Sequence, residues 1–91
     1  MLSWYLYLIE CEGGSIYTGI TKDVAARYAL HVSGKGARYT RSHRPVRLLM
    51  SQEFADRSAA LKAEYRVKCL SASAKRALCD GAIPVEGSNH E

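Results

Sequence analysis

Acidic residues are missing from a long stretch of this chain. Between Val24 and Gln52 there is no Asp or Glu, while Arg27, Lys35, Arg38, Arg41, Arg44 and Arg47 all fall there, with His31 and His43 among them. Charge of one sign over such a length points to a polyanion partner, nucleic acid first. The competing reading is a solvated basic loop. Long apolar runs are missing too. None approaches ~18 residues, so no membrane span is expected. The opening MLSWYLYLIE has no basic residue ahead of its apolar run and no small-residue cleavage site, which argues for a buried strand rather than a signal peptide. Cysteine is scarce: Cys11, Cys69 and Cys79 are odd in number and far apart. That spacing argues against a disulfide framework or a zinc site and fits a reducing cytoplasm.

What is present is one small domain. The 91 residues carry a net charge of +4 and a pI of about 9.1. A chain of this size buries a modest core. Trp4 to Cys11 is almost wholly apolar, as a strand buried on both faces would be. Glu12-Gly13-Gly14 reads as a turn, and Ser15 to Thr21 as a second, antiparallel strand. The length of that turn decides a side. A two-residue turn puts Tyr7 and Tyr17 on opposite faces; a three-residue turn puts Tyr7, Ile9, Tyr17 and Gly19 on one face, because side chains alternate with period two.

Asp23 is a natural N-cap for a helix over Val24 to Ser33, closed by Gly34. At ~100° per residue, Val24, Ala25, Tyr28, Ala29 and Val32 form its apolar face, with Arg27 and His31 stacked beside it. Residues 33–44, SGKGARYTRSHR, read as a basic loop. It is no Walker A loop, since Gly34-Lys35 is not followed by Ser or Thr. Val46 to Phe54 reads as a third strand. Asp56 caps a helix over Arg57 to Leu70, on which Glu64 sits between two apolar flanks. Ser71 or Ser73 starts a last short helix ending at Leu78 or Cys79. Residues 81–91 read as a frayed, flexible tail.

Tyr5-Leu6-Tyr7 and Tyr17-Thr18-Gly19 resemble the two halves of the GIY-YIG nuclease signature. Arg27, then His31 one turn later, then Glu64 on a downstream helix follow in that superfamily's order. The glycine-rich run from Gly34 to Thr40 is similar to one in its small stand-alone bacterial branch, related to structure-specific endonucleases. The chain departs from the signature at Tyr5, Leu6 and Thr18, which are strand positions rather than reacting groups. The resemblance spans roughly Trp4 to Leu78, so the domain is expected over residues 1–80. It implies an α+β fold, a small three-stranded antiparallel sheet flanked by helices, with the site on one sheet face.

It also implies a chemistry. Phosphodiester hydrolysis needs a charge clamp, an activated water, a stabilised leaving oxygen and in-line positioning. Glu64 would hold one Mg²⁺ or Mn²⁺, with water and phosphate oxygens filling the shell. Otherwise it is simply the partner of Lys68 on its helix. Arg27 would hold a non-bridging oxygen. Tyr17, helped by Tyr7, would take the proton of the attacking water, and His31 would orient that phenol or relay its proton. A free phenol, with a pKa near ~10, needs such help. Gly19 would permit close approach of backbone or substrate. Lys35, Arg38, Arg41 and Arg44 would follow the DNA backbone, Tyr39 would stack on a base or sugar, and Thr40 would bond a phosphate.

Such contacts read shape rather than sequence. The expectation is therefore a metal-dependent endonuclease acting on DNA, branched or damaged DNA included, as a monomer or weak dimer with room for a protein partner. The alternatives are a non-catalytic nucleic-acid-binding module on the same fold, or a protein-interaction domain.

Overall fold

The computed structural model describes residues 3–80; the tail expected over residues 81–91 lies outside them. The elements run β1 (Trp4–Cys11), β2 (Ile16–Thr21), α1 (Val24–Val32), α2 (Arg38–Ser42), β3 (Pro45–Phe54), α3 (Arg57–Lys68) and α4 (Ala72–Cys79). The strands form one antiparallel sheet in the order β2-β1-β3. The most apolar strand is thus the central one, as its composition demands. The expected α+β architecture is the one observed.

The hairpin takes the three-residue turn. Glu12–Gly14 is a single 3₁₀ turn, with Gly13 and Gly14 both at φ +89°. Residues with a Cβ seldom hold that conformation, so the double glycine is what lets the chain reverse here. The Cys11 amide donates to the Ser15 carbonyl at 2.9 Å. Register follows: Tyr7 pairs with Gly19 and Ile9 with Tyr17. Both tyrosines therefore project from the same side of the sheet.

The two sides of β1 have different occupants. Leu6 and Leu8 join Ile16, Phe54, Ala60, Ala63, Val67 and Leu78 in the main core, under α3 and α4. Each of the two leucines is fully buried and contributes roughly 1.5–3 kcal/mol. Tyr7, Ile9 and Cys11 form a second cluster with Tyr17, Val24 and Tyr28, under α1. The caps fall as the sequence suggests. Asp23 accepts from the Ala26 amide, Asp56 from that of Ala59, and Ser71 from that of Ala74. Caps of this kind contribute about 1 kcal/mol each.

Two local expectations need correction. The buried edge of α1 is not the alanine–valine face. Ala25, Ala29 and Val32 are exposed, while His31 is buried and Val24 and Tyr28 are half-buried. The sheet beneath α1 offers phenols as well as aliphatic surface, and a histidine answers a phenol with a hydrogen bond where valine cannot. Second, residues 33–44 are not all loop. Arg38–Ser42 form a helical turn, with the His43 amide donating to the Tyr39 carbonyl.

Candidate active site

The site is built on the upper side of β1 and β2 and roofed by α1 and α2. Tyr7 comes from the middle of the central strand and is 2% exposed. Its phenol lies across Gly19 of the neighbouring strand. A Cβ at Gly19 would stand 2.7 Å from the Tyr7 hydroxyl and 3.1 Å from the Tyr17 ring. Gly19 therefore makes room for the chain's own phenols.

From α1, His31 reaches down to this phenol. Tyr7 Oη and His31 Nε2 are hydrogen-bonded at 2.9 Å. His31 Nδ1 is bonded to Thr40 Oγ1 at 2.7 Å, and the Thr40 hydroxyl donates to the Ala37 carbonyl at 3.0 Å. Tyr17 stands beside the pair, its ring centroid 6.3 Å from that of Tyr7 and 5.0 Å from that of His31. The histidine's bond goes to Tyr7, whereas the sequence reading had it serving Tyr17.

The charges of the remaining groups bear on the same phenol. Burial, above all, pushes the Tyr7 phenol well above its usual range; Tyr17 adds to this, Arg27 opposes it and Glu64 adds to it. Burial also holds His31 below its ordinary value, and the Arg27 charge pushes the same way. Tyr17, Arg27 and Glu64 thus all lie within electrostatic reach of one phenol. Arg27 is exposed and forms no ion pair among the described residues. Glu64 is half-buried and paired with Lys68 at 3.1 Å. Helix α3 packs on the far side of the sheet, against β1 and β2, yet the Glu64 charge acts on Tyr7.

The basic segment falls beside this group. Lys35, Arg38, Arg41 and Arg44 are exposed, and Arg41 and Arg44 line a recess of about 100 Å³ behind His31 and Thr40. Two expectations change here. Thr40 is 1% exposed and its hydroxyl is taken by His31 and Ala37, so it is no phosphate ligand. Tyr39 is not free to stack at will. His43 lies parallel to it at 4.2 Å, covering one face, and Tyr17 is stacked near it at 6.1 Å.

The sequence reading missed Gly36. A Cβ there would overlap the His31 ring at Nδ1 and come within 2.9 Å of the His31 Cα. A glycine two residues past a helix-ending glycine was the available signal. It also missed Lys68 and Lys75, which with Tyr17, Thr18 and Tyr39 line a cleft of about 340 Å³.

For a cation, the donor set is lean. Among the described residues no three His, Cys, Asp or Glu side chains gather as a ready-made cage. Glu64 alone offers a carboxylate, half-buried and hard. A cation such as Mg²⁺, which keeps most of its shell as water and substrate oxygen, asks for one or two such ligands. The residues fit an ion of that kind and not a soft or fully caged one.

The model of the GIY-YIG catalytic domain matches residues 3–77. The chain belongs to the GIY-YIG family. UPF0213 protein H16_B0156 of Cupriavidus necator is 61% identical over 77 residues, 85% of this chain and 84% of that protein. UPF0213 protein YhbQ of Escherichia coli is 47% identical over 87 residues, 94% and 87% of the two chains. The solution NMR structure of UPF0213 protein BH0048 from Bacillus halodurans is similar in fold, with a TM-score of 0.55 and 41% identity, covering 96% of this chain and 88% of that one.

Membership of the GIY-YIG family places the chain in a nuclease superfamily and makes nucleic acid its class of substrate. The two halves of the GIY-YIG signature lie on β1 and β2 and meet at the Tyr7–Gly19 pair. Among the described residues no helix is long and apolar enough to cross a membrane.

Proposed function

We propose that this GIY-YIG domain is a divalent-metal-dependent endonuclease that hydrolyses phosphodiester bonds in DNA, selecting structure or nothing rather than sequence. The support is the buried Tyr7–His31 hydrogen bond, with Tyr17, Arg27 and Glu64 all in electrostatic reach of it. Beside that buried bond, Arg27 is exposed and forms no ion pair among the described residues.

The residues divide the work. Arg27 holds a non-bridging phosphate oxygen and balances charge that grows as water attacks. Tyr7 receives a proton from that water as its own proton moves to His31 Nε2. The effective base is then the imidazole, and the phenol is its conduit. That division suits the energetics, since Tyr7 alone is held far from phenolate. Tyr17 walls the site and orients the water, replacing the role of base first read for it. Glu64 would hold Mg²⁺ or Mn²⁺, which when bound supplies positive charge at the phosphate and the leaving oxygen. Lys35, Arg38, Arg41 and Arg44 hold the DNA backbone, and none of them reads bases.

The test is cleavage of plasmid, nicked and branched DNA with and without Mg²⁺ or Mn²⁺. Wild type is expected to nick in the presence of either ion. Glu64→Ala is expected to lose ~10³-fold in rate, in the range seen when one charge-stabilising group is removed, and to keep its DNA affinity. Equal behaviour of wild type and Glu64→Ala on all substrates defeats the proposal and leaves a nucleic-acid-binding module.

A further inference from the structure

A threonine hydroxyl has one proton. Thr40 spends it on the Ala37 carbonyl, 3.0 Å away, which can only accept. The same oxygen lies 2.7 Å from His31 Nδ1. With its proton committed, Thr40 Oγ1 is an acceptor there, so Nδ1 must carry the hydrogen. Burial keeps His31 uncharged near neutral pH, and a neutral imidazole has a single N–H. Nε2 is therefore bare. Its lone pair faces Tyr7 Oη at 2.9 Å, and the phenol is the donor. The direction of the whole chain follows: Tyr7 donates to His31, His31 to Thr40, and Thr40 to the backbone of Ala37.

The surroundings hold the ring closely. His31 and Thr40 are each 1% exposed and are bonded to one another. Gly36 brings backbone against the ring on the Nδ1 side, where a Cβ would collide with it. The short helix α2 delivers Thr40, whose side-chain bond runs back one turn to the N-cap residue Ala37.

We propose that Thr40 is a positioning residue that holds His31 in the Nδ1–H tautomer, leaving Nε2 as the terminal acceptor for the proton of the attacking water. The catalytic consequence rests on the nuclease reading above; the tautomer does not. In the step, a water O–H bond breaks and its proton passes to Tyr7 Oη, while the Tyr7 proton passes to His31 Nε2. The hydroxide oxygen bonds to phosphorus, and the leaving oxygen departs with its electron pair and is protonated by solvent. His31 becomes imidazolium without turning, since Nδ1–H keeps its bond to Thr40, and later returns its proton to solvent. In the opposite tautomer an N–H faces Tyr7 and the path has no acceptor.

The experiment is long-range ¹H–¹⁵N correlation NMR on histidine-labelled full chain at neutral pH, on wild type, Thr40→Ser and Thr40→Val. Wild type and Thr40→Ser are expected to show His31 protonated at Nδ1, and Thr40→Val to shift it mainly to Nε2. An Nε2–H ring in wild type overturns the proposal, and so does an unchanged tautomer in Thr40→Val. Should Thr40→Val fail to fold, the wild-type and Thr40→Ser spectra still decide. Cleavage by the same proteins reads the consequence. Thr40→Val is expected to lose about 100-fold in kcat, a general-base-sized effect, with KM unchanged and the loss recovered in Thr40→Ser. Full activity in Thr40→Val with a shifted ring overturns the link to turnover. An inactive wild type with the Nδ1–H ring sinks the nuclease reading and leaves the tautomer assignment supported.

Discussion

His31 is bonded at both ring nitrogens and kept uncharged by burial and by Arg27. Under the proposed reaction, its shift fixes the sign of the pH profile. A base works only when unprotonated. With the pKa below the ordinary 6.5, His31 is competent at neutral pH, and kcat/KM is expected to fall only on the acid side, with a midpoint below that value. Were a Tyr7 phenolate the base instead, its raised pKa would make the rate climb past about pH 10. Cleavage rates across that range separate the two. At this scale the motif pointed to Tyr7, Tyr17, Arg27, His31 and Glu64, and the structure bonds Tyr7 to His31 with Tyr17 beside them. Thr40 was misread because residue type tells that a hydroxyl will bond but not to what. Gly19 and Gly36 were likewise visible only as small; what each makes room for is a neighbour distant in sequence.

Among the elements, the β1–β2 hairpin carries the strictest requirement. Its three-residue turn sets the parity that brings Tyr17 to the side of Tyr7. Gly14→Ala keeps the turn's length but strains a residue at φ +89°. It is expected to cost about 1–2 kcal/mol, read by urea unfolding, and to retain cleavage. Deletion of Gly14 demands a two-residue turn and throws Tyr17 toward the main core. That variant is expected to lose cooperative unfolding and cleavage together; survival of both would show that the register is not what places the phenol. Parity was legible as a conditional, since the sequence allows either turn. The docked edge of α1 was not, because amphipathic patterning scores His31 as polar while the fold uses it as buried surface. Helix α2 went unseen because five residues rich in arginine carry no apolar period.

Over the whole molecule, the acids are segregated. The acid-free stretch runs from α1 through α2 into β3, whereas Glu10, at the other side of the sheet, is engaged by Arg47 and Arg76. Binding to DNA is expected to weaken steeply with salt and to be indifferent to sequence. Each phosphate contact contributes about 0.9 to the slope of log affinity against log salt, so Arg38→Ala with Arg41→Ala should lower that slope by about 2. Fluorescence anisotropy over a salt series measures it. An unchanged slope would move the DNA path away from α2. One consequence comes from β1 itself, the strand with neighbours on both edges. It is a text with two interleaved readers: every second letter builds the main core, and the letters between them build the cluster that holds Tyr7. An inserted or deleted letter would hand each reader the other's message, which makes the length of this strand less negotiable than the identity of any residue in it.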